Sequence, residues 1–346
     1  MTDTYVEVHG RVNLIGEHTD YNGGFVFPTL IPQKTSVRMS SLKNSMVQVE
    51  SSLMGTFEYR LGEEKKESHW GDYIKGVTSL LQKNYPIDGV HLKIDSTIPA
   101  GSGLSSSAAL NVSLMRAFST HFHFDLTDLE IAKLAQKVEN DFVGARVGIM
   151  DPLICALGKF GQALFVNTRN LECRQIPLPK KTALIVIHSG ITHKLSSQNG
   201  YNTRRSECDE ACKRYQVNLL SDLKIEDLSK ISSPRVHHVI TENQRVLDFI
   251  KALEKDDLIS AGKLMNSSHS SLRDDYEVSI PEIDTLVSLA QNTDGVFGAR
   301  MTGGGFGGSI VALASAECAL KAGQEIIKNY FEKTNHRGTL LVPSFT

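Results

Sequence analysis

The sequence predicts an α+β fold built from two domains. Its 346 residues exceed what one hydrophobic core usually serves, so we expect two lobes with a cleft between them. Segments with strand-like alternation and segments with helical periodicity follow one another without regular βαβ units, which favours α+β over a doubly wound sheet. Pro177 and Pro179 precede a new buried strand, and the predicted domains therefore cover residues 1–177 and 178–346.

The N-terminal half contains a predicted strand, a glycine turn and a helix in direct succession. Residues 90–95 alternate apolar and polar side chains, as a half-buried strand does. Residues 99–103 then form a turn rich in proline and glycine, and serines occupy the cap and first turn of the helix that follows. The apolar positions of this helix recur at helical spacing: Ala108, Val112, Met115, Phe118 and Phe122.

The C-terminal half adds strands and helices of the same kinds. Residues 183–187 are a short apolar run that predicts a buried strand. Ser279 is the predicted cap of a helix with Pro281 in its first turn, and residues 300–313 resemble a glycine loop that leads into a strand. A long helix between these segments has an apolar face formed by Val236, Ile240, Leu247, Ile250 and Leu253.

The composition is that of an ordinary globular protein. Lys and Arg total 37 against 39 Asp and Glu, and this balance argues against a nucleic-acid or anionic-membrane partner. The first seven residues lack the basic and apolar regions of a secretory signal, and no window reaches the ~20 apolar residues of a membrane span. Five scattered cysteines without a Cys-x-x-Cys motif fit neither a disulfide framework nor a zinc site, so we expect a cytoplasmic protein. No exposed heptad or repeated apolar face is evident, and we expect a monomer.

Residues 101–107 combine close glycines with the start of a helix. A helix N-terminus carries unpaired N–H groups, and glycines let a ligand approach the backbone, so the combination can bind phosphate. A P-loop is excluded because the required lysine is missing. A capped helix after a tight turn explains the same residues equally well. The candidate phosphate-binding residues are Gly101, Ser102, Gly103, Leu104, Ser105, Ser106 and Ser107.

Residues 303–308 match the pattern Gly-x-Gly-x-x-Gly through Gly303, Gly305 and Gly308. A dinucleotide-binding loop must be followed by a helix, whereas residues 309–313 have strand character. The match therefore does not predict a dinucleotide site. It indicates a tight hairpin or a backbone that another group approaches closely.

Four polar side chains crowd into the glycine-bounded residues 10–24, namely Arg11, Glu17, His18 and Asp20. Carboxylates with a histidine and an arginine are the groups that can hold a neutral sugar by its hydroxyls. Decoration of a surface loop is the alternative interpretation, and the residues alone do not decide between the two.

Asp151 lies in an otherwise apolar stretch, where a carboxylate needs a partner or a function. It could instead cap the helix that Pro152 would begin. Glu139 has the pattern of an acid on a helix surface.

Together these segments closely resemble galactokinases, within the superfamily of galactokinase, homoserine, mevalonate and phosphomevalonate kinases. Residues 10–24 are similar to the galactokinase signature, residues 101–109 to the superfamily's ATP loop, and residues 301–308 to its third, glycine-rich motif. The resemblance covers most of the chain, continuing through residues 70–76, 201–208, 235–245 and 268–284. It implies an S5-like N-terminal domain and a ferredoxin-like C-terminal domain.

The resemblance also implies roles for matched residues. Asp151 resembles the catalytic aspartate and Arg11 the arginine beside it and the transferring phosphoryl group. The sugar-binding residues would be Glu17, His18, Asp20, Gly148 and Tyr201. The loop of residues 101–107 would wrap the phosphates of ATP, and Ser107 with Glu139 would hold Mg²⁺.

The implied reaction is transfer of the γ-phosphoryl group of ATP to the anomeric hydroxyl of galactose. Such transfers depend on positioning and charge neutralisation. An arginine favours the ionised form of a neighbouring carboxylate, so we expect Asp151 mainly to orient the hydroxyl rather than to take its proton.

Two departures from the family pattern and two alternatives accompany this prediction. Val8 and His9 stand where galactokinases usually have alanine and proline, and Pro152 stands where a glutamine is usual. Because Pro152 would lie beside the sugar and cannot donate a hydrogen bond, a kinase for galacturonate, arabinose or N-acetylgalactosamine is the nearest alternative. A sugar sensor without turnover is the other, but such proteins lack the serine and alanine present here at positions 107 and 108.

Overall fold

A computed structural model describes residues 3–192 and 197–343, without the side chains of residues 197–199. Met1 and Thr2, at the start of the segment without a secretory pattern, lie outside the described residues. The described part mixes strands and helices without regular alternation, and the α+β prediction is confirmed. The strands are β1 (Thr4–Asn13), β2 (Phe25–Val26), β3 (Pro28–Ser41), β4 (Met46–Ser51), β5 (Gly55–Arg60), β6 (Val90–Ser96), β7 (Gln162–Asn167), β8 (Glu172–Pro177), β9 (Thr182–His188), β10 (Val296–Thr302), β11 (Ser309–Ser315) and β12 (Thr339–Val342).

The helices differ in length and in the way they begin. Helix α3 has a capping box, in which Thr127 accepts from the backbone of Glu130 and the Glu130 side chain accepts from Thr127. The α-helices are α1 (Gly71–Leu81), α2 (Ser106–His121), α3 (Asp128–Lys137), α4 (Met150–Leu157), α5 (Ser197–Tyr215), α6 (Pro234–Glu254), α7 (Leu258–Asp274), α8 (Pro281–Gln291) and α9 (Ala319–Thr334).

The chain forms two compact units that are not contiguous in sequence. The first unit contains Met1–Arg11, Ile31–Pro99 and Ser105–Gly158, and the second contains Val12–Leu30, Ala100–Leu104 and Lys159–Thr346. The chain last changes unit between Gly158 and Lys159. The domain boundary expected between residues 177 and 178 stays a prediction.

The first unit pairs strands with a group of helices. Strand β6 pairs antiparallel with β3 and parallel with β4, and β4 pairs antiparallel with β5. Helix α2 contacts α1, α3 and α4, and its buried positions lie all around the helix. A helix covered on every side must satisfy its polar groups internally, which makes a buried polar residue on α2 a candidate for function.

The second unit is built on a four-stranded antiparallel sheet in the order β10, β11, β9, β12. Every residue of β11 except the last is buried, as expected for a strand covered on both faces. Helices α7 and α8 contact β10, and α9 contacts β9. Short strands β2 and β8 pair antiparallel with β7 elsewhere in this unit.

Most predicted elements are confirmed within a residue or two. Strands β6 and β9 and helices α2 and α6 lie where the periodicity places them. The cap predicted for α8 is wrong, because Ile280 occupies the N-cap position and Ser279 instead donates to Asp284. Among the described helices, none combines the length and the apolar character that a membrane span requires.

Candidate active site

Arg11 and Asp151 form a bidentate ion pair in the first unit. Arg11 lies near the end of β1, and Asp151 lies in the first turn of α4. Arg11 donates from Nε to Oδ1 over 2.7 Å and from Nη2 to Oδ2 over 2.6 Å. The side chain of Arg11 is 4% exposed and that of Asp151 is 30% exposed. Ile149 holds the N-cap of α4, so the interpretation of Asp151 as the helix cap is wrong.

Glu139 is a buried carboxylate rather than the surface acid that its pattern indicated. It lies in a single π-helical segment, Val138–Val143, a rare conformation that often marks functional sites. Ser107 Oγ donates to Oε2 over 3.2 Å, and Asn111 Nδ2 donates to Oε1 over 3.3 Å. Burial, together with the charge of Asp151, raises the pKa of Glu139 to about 7. The ionised form therefore calls for a positive partner.

The start of α2 presents the serines predicted for phosphate binding. Ser105 occupies the N-cap position in a left-handed conformation with φ 62°, and Ser106 and Ser107 form the first turn. Ser105 is buried, yet its Oγ has no hydrogen-bond partner in the described part of the chain. A buried hydroxyl without a partner at a helix N-terminus is suited to an oxygen-rich anion.

The glycine loops of the second unit contact each other. Gly103 and Gly303 both have positive φ, at 75° and 88°. A Cβ on Gly303 would lie 2.8 Å from the carbonyl oxygen of Gly103, and a Cβ on Gly103 would lie 3.1 Å from that of Thr302. These glycines are therefore required by the packing of one loop on the other. Residues 303–308 join β10 to β11, so the hairpin prediction is confirmed and the dinucleotide interpretation is excluded.

Within the second unit, the carboxylate of Glu17 links the signature segment by hydrogen bonds to the glycine-rich motif of residues 301–308. Its Oε1 accepts from the backbone N–H of Gly303 over 2.6 Å and from Thr302 Oγ1 over 3.1 Å. Its Oε2 accepts from Asn13 Nδ2 over 2.5 Å. Arg300, a fully buried cation, lies 3.7 Å from Oε1. Glu17 is thus held rigidly in one orientation.

His18 is a buried, neutral imidazole with a strained backbone. Its φ is 61°, in the left-handed region that non-glycine residues seldom occupy. Burial, reinforced by the nearby charges of His238 and Arg300, lowers the pKa of His18 to about 3. Its Nδ1 shares a hydrogen bond of 2.9 Å with the Tyr21 hydroxyl, and its ring centroid lies 5.6 Å from that of Tyr201. A neutral ring with one donor and one acceptor suits an uncharged ligand.

The predicted site residues divide between the two units. The first unit contains Arg11, Ser105, Ser106, Ser107, Glu139, Gly148 and Asp151, and the second contains Glu17, His18, Asp20, Gly101, Ser102, Gly103, Leu104 and Tyr201. Gly148 is buried just before α4. Asp20 begins the short 3₁₀ segment Asp20–Asn22, and its carbonyl accepts from Thr168.

Comparison with protein-family models matches three parts of the chain. The galactokinase galactose-binding signature matches residues 2–41, the N-terminal domain of GHMP kinases matches residues 72–159, and their C-terminal region matches residues 249–333. A galactokinase of Haemophilus influenzae (strain PittGG) is 44% identical over 341 residues, covering 94% of this chain and 88% of that protein. The chain belongs to the galactokinase family. It is accordingly an ATP-dependent sugar kinase.

Further relatives of this galactokinase-family chain agree in sequence and in fold. A galactokinase of Chloroflexus aurantiacus is 43% identical and covers 89% of the chain and 83% of its own length. The crystal structure of Lactococcus lactis galactokinase complexed with galactose superposes with a TM-score of 0.94 at 34% identity, covering 98% of this chain and 92% of that one. A mevalonate kinase of Methanococcus jannaschii, at 21% identity and a TM-score of 0.72, shares the fold.

Several residues that contact the candidate site residues were missed by sequence reasoning. Asn13 and Tyr21 lie inside the signature segment, where their polar side chains are visible in the sequence, and the structure buries Asn13 fully and Tyr21 partly. Asn111 follows Ser107 by four residues, so both lie on one face of α2. Tyr276 and Arg300 are far along the chain, and nothing local marks them.

Proposed function

We propose that the chain transfers the γ-phosphoryl group of ATP to the anomeric hydroxyl of D-galactose, giving galactose 1-phosphate. The bidentate pair of Arg11 and Asp151 carries the proposal, because it presents a fixed carboxylate beside a buried cation. A carboxylate can orient an attacking hydroxyl, and a cation can neutralise charge on the transferring group. The matched galactose-binding signature supports the choice of sugar.

Asp151 is proposed to orient the hydroxyl of the sugar. Both of its carboxylate oxygens accept from Arg11, so its position is set before a substrate arrives. Its partial exposure leaves room for a further hydrogen bond. Because the transition state of phosphoryl transfer is loose, positioning contributes more than early removal of the hydroxyl proton.

Sugar binding is proposed for Glu17, His18, Asp20, Gly148 and Tyr201. Neutral His18 supports this role, since an uncharged ring loses little on meeting an uncharged sugar. The hydrogen bonds that hold Glu17 also fix the backbone of the signature segment that carries His18 and Asp20. Preorganisation of this kind reduces the entropy lost on binding.

Phosphate and magnesium binding is proposed for the loop and the start of α2. The unpartnered Ser105 Oγ and the helix N-terminus would receive phosphate oxygens, with Gly101 to Leu104 covering them. Ser107 and Glu139 fit Mg²⁺ because both offer oxygen ligands, and no Lys or Arg in the described residues forms an ion pair with Glu139. The described residues contain no cluster of three metal-binding side chains, so phosphate and water oxygens would supply the other ligands. When bound, the ion would neutralise charge on the phosphates.

A panel of sugars in a coupled assay of ADP release tests the proposed substrate. Galactose is expected to give the largest kcat/KM among galactose, galacturonate, arabinose and N-acetylgalactosamine. If another sugar gives a larger kcat/KM, that sugar replaces galactose as the proposed substrate. Buried Pro152, next to Asp151 in α4, is the residue to exchange for glutamine in that case.

We also propose a monomer that works in the cytoplasm. All five cysteines, each within the described residues, lack a disulfide, which suits a reducing compartment. Large exposed apolar side chains such as Leu53, Phe160 and Ile259 are spread along the chain. Light scattering coupled to size exclusion should give a mass near 38.1 kDa.

A further inference from the structure

A network of buried and part-buried hydrogen bonds in the second unit ends at His18. The hydroxyls of Tyr21 and Tyr276 are 2.8 Å apart, and Tyr21 in turn lies 2.9 Å from Nδ1 of His18. At the other end, the Tyr276 hydroxyl lies 3.2 Å from the sulfur of Cys208. Tyr21, Tyr276 and Cys208 have no part in the proposed function.

With the Cys208 thiol as donor to the Tyr276 hydroxyl, all the hydrogen bonds of this network run in one direction. Asn22 Nδ2 donates to the sulfur of Cys208, whose own hydrogen can then be directed at Tyr276. Because each hydroxyl has a single hydrogen, Tyr276 then donates to Tyr21 and Tyr21 donates to Nδ1 of His18. Burial raises the pKa of both tyrosines and raises that of Cys208 to about 11, so all three keep their hydrogens at neutral pH.

This direction determines the tautomer of His18. A neutral imidazole that accepts at Nδ1 carries its hydrogen on Nε2. Nε2 makes no hydrogen bond within the described residues, although the backbone of Gly304 lies close enough to favour a proton on the ring. The buried ring therefore presents an unused donor.

The backbone around Tyr276, near the other end of this hydrogen-bond network, is held by two arginines. Arg204 Nε donates to the carbonyl of Tyr276, and an Nη of Arg235 donates to the carbonyl of the preceding residue, Asp275. Both arginines also pair with the carboxylates of Glu207 and Glu277. Tyr276 is fully buried and packs its ring 4.8 Å from that of His18. Its hydroxyl thus has little freedom to break its hydrogen bonds in this network.

We propose that Tyr21 and Tyr276 are positioning residues that fix the ring and the Nε2–H tautomer of His18, so that His18 donates a hydrogen bond to an acceptor oxygen of the sugar. The proposal rests on the proposed function, because it takes a sugar as the ligand of His18. Under this proposal, the Nε2–H group of His18 selects a ligand that places a hydrogen-bond acceptor oxygen beside it.

Kinetics of conservative variants give the first test. Tyr276→Phe removes one hydroxyl and keeps the ring, so KM for galactose should rise about tenfold while kcat and KM for ATP stay near wild type. Cys208→Ser retains a hydrogen donor and should keep KM close to that of the wild type, whereas Cys208→Ala should raise it. Tyr330→Phe, at a tyrosine fully buried elsewhere in the second unit, is the matched control and should leave every constant unchanged. An unchanged KM for galactose in Tyr276→Phe, or an equal rise in KM for ATP, would overturn the proposal.

Nitrogen NMR of the full-length protein labelled in its histidine rings gives the second test. The His18 signal is assigned by its loss in His18→Gln, and the wild type should show hydrogen on Nε2. Tyr21→Phe should shift His18 towards the other tautomer, and Tyr330→Phe should not. A wild-type hydrogen on Nδ1, or the same tautomer in Tyr21→Phe, contradicts the proposal. This readout needs no turnover, so it stands even if the sugar panel shows no phosphorylation and the proposed function fails.

Discussion

The candidate residues of the first unit include an ion pair and a buried acid, whereas His18 in the second unit and the two tyrosines beside it are neutral. Asp151 and Arg11 form the ion pair, and Glu139 is the buried acid, whose hydrogen-bond donors among the described residues are neutral. In the second unit, burial keeps His18 uncharged and keeps Tyr21 and Tyr276 protonated. A buried charge is tolerated only with a partner, so the first set is suited to phosphate and metal and the second to a sugar.

The two sets of residues suit two unlike substrates. Arg11 and Asp151, proposed to act beside the charged phosphoryl group, are held by an ion pair with short hydrogen bonds, which fixes them before binding. His18, which is proposed to bind the sugar, is held by aromatic packing and by the Tyr21 hydroxyl, and these contacts fix its orientation without adding charge. Substitutions in the two sets should therefore change different kinetic constants.

The largest effect is expected from Asp151→Asn. It keeps the size of the side chain but removes the charge that faces Arg11, and kcat should fall by at least about a thousandfold while ATP binding stays nearly intact. Steady-state assays with calorimetric ATP titration provide the measurement. Asp128→Asn, at an exposed carboxylate that pairs with Arg116, is the matched control and should keep full activity. A variant at position 151 that retains a tenth of wild-type kcat would remove Asp151 from the mechanism.

Glu139→Gln should weaken the response to magnesium. The amide keeps the hydrogen-bonding shape but lacks the negative charge, so the Mg²⁺ concentration for half-maximal activity should rise roughly ten- to a hundredfold. Activity is measured across a magnesium titration at saturating ATP and galactose. Glu63→Gln, at an exposed acid of the same unit, should leave the titration unchanged. Equal magnesium responses in the two variants would rule out Glu139 as a ligand.

Acid should destabilise the protein through the neutral histidines of the second unit. The pKa of His18 falls to about 3 and that of His238 to about 4, chiefly through burial. The unfolded chain binds these protons below pH ~6.5 and the folded chain does not, so stability is lost as the pH falls below that value. Each group should contribute on the order of 3 kcal/mol of loss by pH ~4.

Denaturant unfolding between pH 7 and 4 measures this loss. His18→Gln should flatten the decline, since one of the two groups no longer takes up a proton on unfolding. His336→Gln, at an exposed histidine, should follow the wild-type curve. Parallel curves for His18→Gln and wild type would show that His18 is not buried in neutral form.

The smallest effect is expected from Ser105→Ala. Ser105 Oγ has no partner in the described residues, so its removal should leave the thermal midpoint unchanged or slightly raised, while KM for ATP rises about two- to fivefold. Ser119 in the same helix donates to the carbonyl of Phe124, and Ser119→Ala should do the opposite, lowering stability by about 1 kcal/mol without changing KM. If Ser105→Ala loses stability while its KM for ATP is unchanged, the hydroxyl stabilises the folded protein and does not bind ATP.

Much of the fold could be predicted from the sequence because its signals are local. Strand β6, the turn after it and helix α2 follow from alternation, glycine and helical spacing within 32 consecutive residues. The two units could not be found this way. They interleave three segments each, and only long-range contacts reveal that residues 100–104 group with the second unit.

The candidate site shows the same division. The polar residues of the signature segment were visible in the sequence, yet local pattern left Asp151 as either a functional carboxylate or a helix cap, and it gave Glu139 the appearance of a surface acid. Their burial and partners depend on Arg11 and on α2, which are distant in sequence from Asp151 and Glu139 respectively. Tyr276 acquires its proposed role through contact with Tyr21, which lies 255 positions earlier.

The position of the new phosphate on the product decides whether the chain phosphorylates the anomeric hydroxyl of galactose. The purified protein is incubated with ATP, Mg²⁺ and D-galactose, and the sugar product is examined by proton and phosphorus NMR. A single product is expected, and its phosphorus should couple to the anomeric proton. Phosphorus coupled to the protons at carbon 6, or ATP consumed without a sugar phosphate, would contradict it.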